Sequence, residues 1–321
     1  MIISKSFNKY FENLFINDKK IAVAVSGGVD SLSLVILANE YFSKINAKII
    51  GITVDHKLRS SSTDEAIYIN KLLKDYNIEH HILTWHRKIP GINVNEDMAR
   101  NARYSLIEEF CEKHNIETIM VGHHIQDQAE NFLIRLFRGS GIKGLSSIQK
   151  ISKRNNITIV RPFLDEKKEN LKNFLEENHI KWIEDESNSD EKYLRNKIRN
   201  FINSFEDKDL IVKRINSAVN TFQIANDIIE ENIEELEKNK TFSENEINLD
   251  KFINLDKELQ LRILSKILKK TSGKNSELRA EKLERLLELI KNNQIKNYEL
   301  NHCRFKHNIK KNTIEISKSF E

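Results

Sequence analysis

The sequence predicts an α/β protein built on a doubly wound, parallel, five-stranded sheet, followed by a smaller all-helical second domain. Three observations predict it. Short β-branched runs alternate with helical patterns up to about residue 180. One of those runs, residues 21–25, passes through Ser26-Gly27-Gly28 straight into a helical stretch. Beyond about residue 200 the apolar residues keep helical spacing instead.

The first strand, Ile21-Ala22-Val23-Ala24-Val25, is apolar throughout, as a strand covered on both faces must be. Ser26-Gly27-Gly28 makes a turn without Cβ atoms where a ligand would approach. Asp30-Ser31 then opens a helix over residues 32–43. Strand, glycine loop and helix N-terminus together form an anion site, because free N–H groups and the helix dipole point at the ligand. This loop carries neither G-x-x-x-x-G-K-[ST] nor G-x-G-x-x-G, so it is neither the Walker loop with its lysine nor the usual dinucleotide fingerprint.

A second strand at 47–54 ends in Asp55-His56, and a helix over 63–76 leads to a third strand at 79–85. After Pro90-Gly91 comes a helix over 95–114, then a strand at 117–121 that runs into Gly122-His123-His124 and a helix to about 138. A fifth strand at 157–160 and a helix over 165–178 follow. Repeated βα units imply right-handed crossovers, with ligands at the carboxyl ends of the strands. Asp30, Asp55 and His123 all follow strand ends and can share one crevice.

Phe252, Leu255, Leu259, Ile263 and Ile267, then Leu283, Leu286, Leu287 and Ile290, keep helical spacing, while residues 298–317 alternate like a short hairpin. The expected domains are therefore 1–205, 206–295 and a short extension, 296–321. The acidic stretch 227–246 reads as a solvated helical face.

With 31% charged and 39% hydrophobic residues, the composition is that of a soluble globular protein. A net charge of +4 leaves no polybasic tail, so a nucleic-acid partner would need local clusters of Lys and Arg. Cys111 and Cys303 stand far apart and suit neither a disulfide framework nor a cysteine-rich metal site. No run approaches the ~20 apolar residues of a membrane span. Residues 1–15 have helical spacing without a signal-peptide core, so the expected address is the cytoplasm.

Several residues have side chains suited to chemistry. Ser26 and Ser31 offer hydroxyls to phosphate, and Gly27 and Gly28 offer N–H groups. Asp30 beside a polyphosphate would repel it unless a cation lay between, so Mg²⁺ bridging Asp30 and the phosphates is expected; the alternative is a helix-capping aspartate. Asp55 reads either as a ligand contact or as a strand-end turn residue. Arg100 and Arg103, three apart on one helix, suit an α-phosphate or an RNA backbone, or else form a solvated basic face. His123, Asp127 and Glu130 share a helix face, where paired acids suit a metal or an ammonium group. Arg135, Arg138, Lys143, Lys150, Lys153 and Arg154 surround Gly139-Ser140-Gly141 and Gly144-Leu145, a basic loop suited to RNA phosphates. Arg195 and Arg199 lie one helical turn apart, facing an anionic substrate, and Lys266, Lys269, Lys270 and Lys274 form a further cluster.

SGGVDS, residues 26–31, matches the SGGxDS loop of the PP-loop ATP pyrophosphatase superfamily, which this chain resembles. In order, SGGVDS, VDH, ARNARY, GHHIQDQAE, RGSGIKGL, RPFL, EDESN and RNKIR resemble the tRNA(Ile)-lysidine synthetase family over about residues 20–200. That resemblance implies an adenine nucleotide α-hydrolase-like fold, with ATP on Ser26, Gly27, Gly28, Val29, Asp30, Ser31, Asp55 and Arg100. It also implies Mg²⁺ on Asp30 and Asp127, and catalysis by Asp30, Arg103, His123, Asp127 and Glu130. The implied reaction adenylates the wobble cytidine of a CAU-anticodon isoleucine tRNA, after which the ε-amine of free L-lysine displaces AMP. Asp127 and Glu130 are then the candidates to hold that ammonium and help remove its proton. Arg135, Arg138, Lys143, Arg195 and Arg199 would face the RNA, and a homodimer is left open.

One residue departs from the family pattern: where two acids usually precede the Gln, the first is Gln126. The chain also ends soon after the helical region, which is similar to the shorter family members. A thiolase of the same superfamily would need reactive or cluster-binding cysteines, and Cys111 and Cys303 are badly placed for that. A ligase of the amidotransferase type would leave the basic loop unexplained. A non-catalytic tRNA-binding descendant, weakened at Gln126, is the alternative of a different class.

Overall fold

The computed structural model describes residues 2–14, 16, 18–57, 62–86, 96–184, 194–273 and 278–319. Pro90, Gly91, Asn95, the Asp185-Glu186-Ser187-Asn188 part of EDESN and Lys274 lie outside the described residues. The chain divides into two compact units, residues 1–223 and 224–321.

The first unit runs α1 (Ile2–Asn13), β1 (Lys20–Ala24), α2 (Val29–Phe42), β2 (Lys48–Asp55), α3 (Ser62–Asp75), β3 (Glu79–Thr84) and α4 (Glu96–His114). It continues with β4 (Thr118–Met120), α5 (Ile125–Phe137), α6 (Ile142–Leu145), β5 (Ile151–Arg154), β6 (Ile157–Val160), α7 (Lys168–Glu177), α8 (Leu194–Asn203) and the start of α9 (Lys208–Lys238). The sheet order is β3-β2-β1-β4-β6-β5. All neighbours pair in parallel except β5 and β6.

The parallel, doubly wound arrangement is as expected, but the sheet has six strands rather than five. Ile-Ser-Lys-Arg of β5 lacks an apolar alternation because it is an edge strand, half exposed and carrying Lys153 and Arg154. It turns back through Asn155, which takes a left-handed conformation (φ 50°) that asparagine tolerates. The basic loop of the sequence reading thus loses its last members to a strand, where Arg154 is ion-paired with Glu108.

Side-chain alternation along β1 explains why it is apolar from Ile21 onward. Ile21 and Val23 face a core with Leu32, Val35 and Phe42 of α2 and Leu171 and Phe174 of α7. Ala22 faces the other way, towards Ile50, Ile119, Ile159 and Tyr104, Ile107 and Cys111 of α4. Both faces are covered, as parallel sheets require. Strand order reverses between β1 and β4, so the loops after these two strands diverge at a topological switch point, where such sheets bind ligands.

The second unit holds the end of α9, β7 (Glu246–Asn248), α10 (Leu249–Ile253), α11 (Lys257–Ser272), α12 (Ala280–Lys291), β8 (Tyr298–Leu300), β9 (Cys303–Asn308) and β10 (Thr313–Lys318). The expected helical stripe forms its core, with Phe252, Ile263, Ile267, Leu286, Leu287 and Ile290 buried. The alternating stretch after residue 297 becomes three strands that, with β7, make a four-stranded antiparallel sheet, order β7-β10-β9-β8. Cys303, Phe305, Ile314 and Ile316 point from that sheet into the same core.

The acidic stretch and the lysine cluster of this unit turn out to be partners. Glu237 takes Lys266 at 2.5 Å and Lys270 at 3.3 Å, and Glu244 takes Lys270 at 3.2 Å. Lys266 and Lys270 are thus paired, while Glu231, Glu234 and Glu235 of the same stretch are exposed, the solvated helical face expected.

Candidate active site

The loop after β1 is built for close approach. Gly27 sits at φ +86°, and a Cβ there would lie 2.6 Å from Ile183 Cδ1 and 2.9 Å from Ile69 Cδ1. Its carbonyl accepts the Ile183 N–H at 2.9 Å, which ties the 181–184 segment across the loop. Gly28 is the N-cap of α2, so the first N–H groups of that helix, from Val29 onward, have no acceptor within the helix. Ser31 Oγ braces the turn, donating to the Gly28 carbonyl at 3.1 Å and accepting the Ser26 N–H at 3.1 Å, while Ser26 is exposed. From the loop after β4, Gly122 comes so close that a Cβ would lie 2.9 Å from the Asp30 carbonyl oxygen.

Asp30 lies in the first turn of α2 rather than at its cap. His124 Nε2 stands 3.8 Å from its Oδ1 and Lys168 Nζ 4.0 Å from its Oδ2. Oδ1 is buried without a hydrogen-bond partner. Burial pushes the Asp30 carboxyl up, against the pull of His124 and Lys168 and with a further push from Asp127.

His124, quoted in the motif but not singled out, sits between two acids, since its Nε2 is also 3.5 Å from Asp127 Oδ2. It is the N-cap of α5, and its backbone N–H donates to Asp127 Oδ2 at 2.9 Å. Asp127 Oδ1 accepts Arg195 Nη2 at 2.5 Å. Glu130, 2% exposed, accepts Arg195 Nε at 2.7 Å and Arg199 Nε at 2.8 Å. His124, Arg195 and the His124 N–H hold the Asp127 carboxyl far below the usual range, outweighing burial, the largest influence and an opposing one.

Arg195 and Arg199, expected to face RNA, are ion-paired with these acids, with 29% and 33% of their side-chain surface exposed. Asp127 and Glu130 already have guanidinium partners, and a carboxylate as acidic as Asp127 is a poor proton acceptor. Neither is an open counter-ion for an incoming ammonium group.

His123 is pushed down to about 3, chiefly by burial, with Arg161, Arg100 and Arg195 adding to the effect against Asp127. Neutral, it stands among guanidinium groups at the end of β4. Arg100 lies over the Tyr104 ring at 5.3 Å and Arg154 at 4.9 Å. Arg161, from the RPFL string, is buried at the end of β6 and donates to the Gln149 carbonyl at 2.8 Å. Arg103 donates to His56 Nε2 at 3.3 Å, which joins α4 to the end of β2. Asp55 is buried, taking the Lys57 N–H at 2.9 Å and the Thr63 hydroxyl at 3.0 Å, the turn role of the two readings. Gln126 Oε1 accepts the Lys168 N–H at 3.4 Å at the start of α7.

With loop, acids and guanidinium groups at the switch point, comparison with known proteins is decisive: the PP-loop domain family matches residues 1–205. The chain belongs to the PP-loop family. It is 44% identical over 191 residues to the tRNA(Ile)-lysidine synthase of Orientia tsutsugamushi, covering 59% of this chain and 43% of that protein. The Wolbachia pipientis protein of the same name is 39% identical over 200 residues, 62% and 46% of the two chains. That of Rickettsia bellii (strain OSU 85-389) is 36% identical over 278 residues, 85% and 64%. This chain spans about half the length of the first two of these relatives. Among solved structures, the U34-tRNA thiolase NcsA from Methanococcus maripaludis shares the fold, with a TM-score of 0.53 at 19% identity over 68% of this chain and 78% of that one. The motif-based resemblance is borne out.

Mg²⁺ in this PP-loop site fits one of its two expected ligands. Asp30 Oδ1 is a buried oxygen without a hydrogen-bond partner, and Mg²⁺ takes one or two carboxylates beside phosphates and water. Asp127 does not fit, because Arg195 and the His124 N–H occupy its two oxygens. Among the described residues no group of three or more His, Cys, Asp or Glu is arranged to hold a metal. Both cysteines are buried, and burial pushes the Cys111 thiol up to about 12, far from a reactive thiolate. Arg138 and Lys143 are exposed around Gly139, where a Cβ would meet open space, and Arg135 is half-buried. Among the described residues no helix is long and apolar enough to cross a membrane.

Proposed function

We propose that this PP-loop protein adenylates the wobble cytidine of a CAU-anticodon isoleucine tRNA with ATP, and that the ε-amine of free lysine then displaces AMP to give lysidine. The observation that carries the reading is the loop Ser26–Ser31, closed against Gly122 at the switch point, in a chain whose relatives are named for this activity. ATP chemistry is assigned to residues 1–205 and tRNA contacts also to 206–295 and the strands beyond.

The physical logic is that of leaving groups. A cytidine carbonyl oxygen cannot leave until AMP is attached to it. The N–H groups at the start of α2 hold the pyrophosphate end of ATP. Mg²⁺, held by Asp30, would supply neutralising charge between that carboxylate and the phosphates. Arg100, beside neutral His123, faces charge developing on the α-phosphate. The base must leave the anticodon stack to reach this crevice. Asp127 and Glu130 hold Arg195 and Arg199 at the rim, so they act by placing α8 rather than by taking the lysine proton.

The test is mass analysis of nucleosides from a CAU-anticodon isoleucine tRNA incubated with protein, Mg²⁺, ATP and lysine. Lysidine should appear, vanish when ATP or lysine is omitted, and be lost in Asp30→Ala. Bound tRNA with unmodified cytidine would overturn the enzymatic reading in favour of a tRNA-binding homologue.

A further inference from the structure

We propose that Lys168 is a phosphate-binding residue of the site, the cation for the pyrophosphate end of ATP that the glycine loop itself lacks. The inference rests on the ATP reading above. Ser26–Ser31 contains no basic residue and does contain Asp30, so hydroxyls and N–H groups are all the loop offers to a highly charged polyphosphate. A cation must come from elsewhere in the fold. Lys168, 138 residues further along the chain, brings its Nζ to 4.0 Å from Asp30 Oδ2.

Lys168 is the first residue of α7, and its place is fixed from two sides. Ser33 Oγ of α2 donates to the Leu171 carbonyl at 3.1 Å, locking α7 to the helix that starts at the loop. The Ile125 N–H of α5 donates to the Glu166 carbonyl at 3.1 Å, and Gln126 Oε1 takes the Lys168 N–H. The backbone that carries Lys168 is thus held beside the loop by packed helices, and its half-exposed side chain reaches the loop from there.

Its surroundings set Lys168 apart from neighbouring lysines. Lys167 is ion-paired with Asp209, Lys150 with Asp165 at 2.5 Å, and Lys172 with Glu176 at 3.7 Å. Lys168 has the loop's own Asp30 as its carboxylate, at a distance beyond hydrogen-bond reach. Its three N–H donors therefore serve an oxygen-rich anion arriving between α2 and α7. Were Mg²⁺ held by Asp30, it would supply the charge that neutralises this carboxylate and leave the ammonium group to the phosphates. A fixed positive charge there also stabilises pyrophosphate as it separates from the α-phosphate.

Calorimetric titration of the full chain, in excess Mg²⁺, with pyrophosphate and separately with AMP tests this. Wild type, Lys168→Gln and Lys168→Arg are compared, with thermal melts confirming that each variant is folded. Lys168→Gln should weaken pyrophosphate binding about tenfold, or about 1.4 kcal/mol, and leave AMP within about twofold. Lys168→Arg should recover most of the loss. Unchanged pyrophosphate affinity in Lys168→Gln overturns the proposal, as does an equal loss for AMP, which would mean a general disturbance of the site. If wild type binds neither probe, the ATP reading of the loop fails and Lys168 falls with it.

Discussion

One guanidinium group, that of Arg195, closes on two acids of α5 at once, with Nη2 2.5 Å from Asp127 Oδ1 and Nε 2.7 Å from Glu130 Oε2. Arg199 adds a second cation to Glu130. The strings GHHIQDQAE and RNKIR are therefore two halves of one ion-pair network that fastens α8 to α5, above the apolar contact of Ile198 and Ile202 with Ala129 and Leu133.

Glu130→Gln should therefore destabilise the protein, because it leaves two guanidinium groups against a site built for a buried carboxylate. The expected loss is roughly 3 kcal/mol, the low end for breaking a buried pair, since both arginines keep some solvent. Urea unfolding measures it. A change under 1 kcal/mol would show that the pairs contribute little and return both acids to the role of open counter-ions.

Gly27→Ala should impair nucleotide binding more than it impairs folding. At φ +86° an alanine costs about 1–2 kcal/mol, and its Cβ would meet Ile183 Cδ1 at 2.6 Å. The side-chain tips can retreat, but the 181–184 segment is hydrogen-bonded to this loop and would move with them. ATP affinity should fall at least tenfold. Gly139→Ala, at φ +71° in open space, is the matched control and should leave ATP affinity unchanged.

Much of this site was legible because its pieces are local. A strand, a glycine turn and a helix start are contiguous in residues 21–38, and helical spacing puts Asp127 and Glu130 on one face. What stayed hidden is long-range. Nothing in the sequence says that Arg195 meets Glu130 rather than RNA, or that Lys168 meets Asp30. Edge strand β5 was illegible for a different reason: its Ile-Ser-Lys-Arg has one face in solvent and no apolar period to read. Likewise, Glu237 and Lys266 each look like solvated charges until α9 and α11 pack side by side.

Stability should fall as pH drops from about 6.5 towards 4, partly through His80. Its Nε2 is 2.8 Å from Thr53 Oγ1, whose own hydrogen goes to the Val25 carbonyl, so Nε2 donates there, and its Nδ1 is 3.0 Å from the Asn70 side-chain amide. Burial, with a smaller effect of His81, pushes His80 down to about 4, and burial with Arg103 does the same to His56. Unfolded histidines protonate near 6.5, so in this window the unfolded chain binds more protons and stability rises with pH. The contribution is complete above about 6.5 and lost as pH falls through the folded value. His80→Gln should flatten the dependence of urea midpoints between pH 5 and 7, and an unchanged slope would exclude His80 as a source.

The two basic clusters of the sequence should behave differently towards RNA. Arg138 is exposed beside Gly139, where a Cβ would meet open space, whereas Lys266 is 2.5 Å from Glu237, its charge already answered. A lysine or arginine that contacts a phosphate releases a counterion, so its removal lowers the slope of log affinity against log salt by about 1. Arg138→Ala should weaken binding of a CAU-anticodon isoleucine tRNA and lower that slope by about this amount. Lys266→Ala should change neither, because its partner stays with Lys270, 3.3 Å from Glu237. Titrations at several salt concentrations separate the cases. Equal losses of slope in both variants would mean that Lys266 leaves Glu237 for RNA, and that the second unit grips the substrate through lysines that this structure pairs internally.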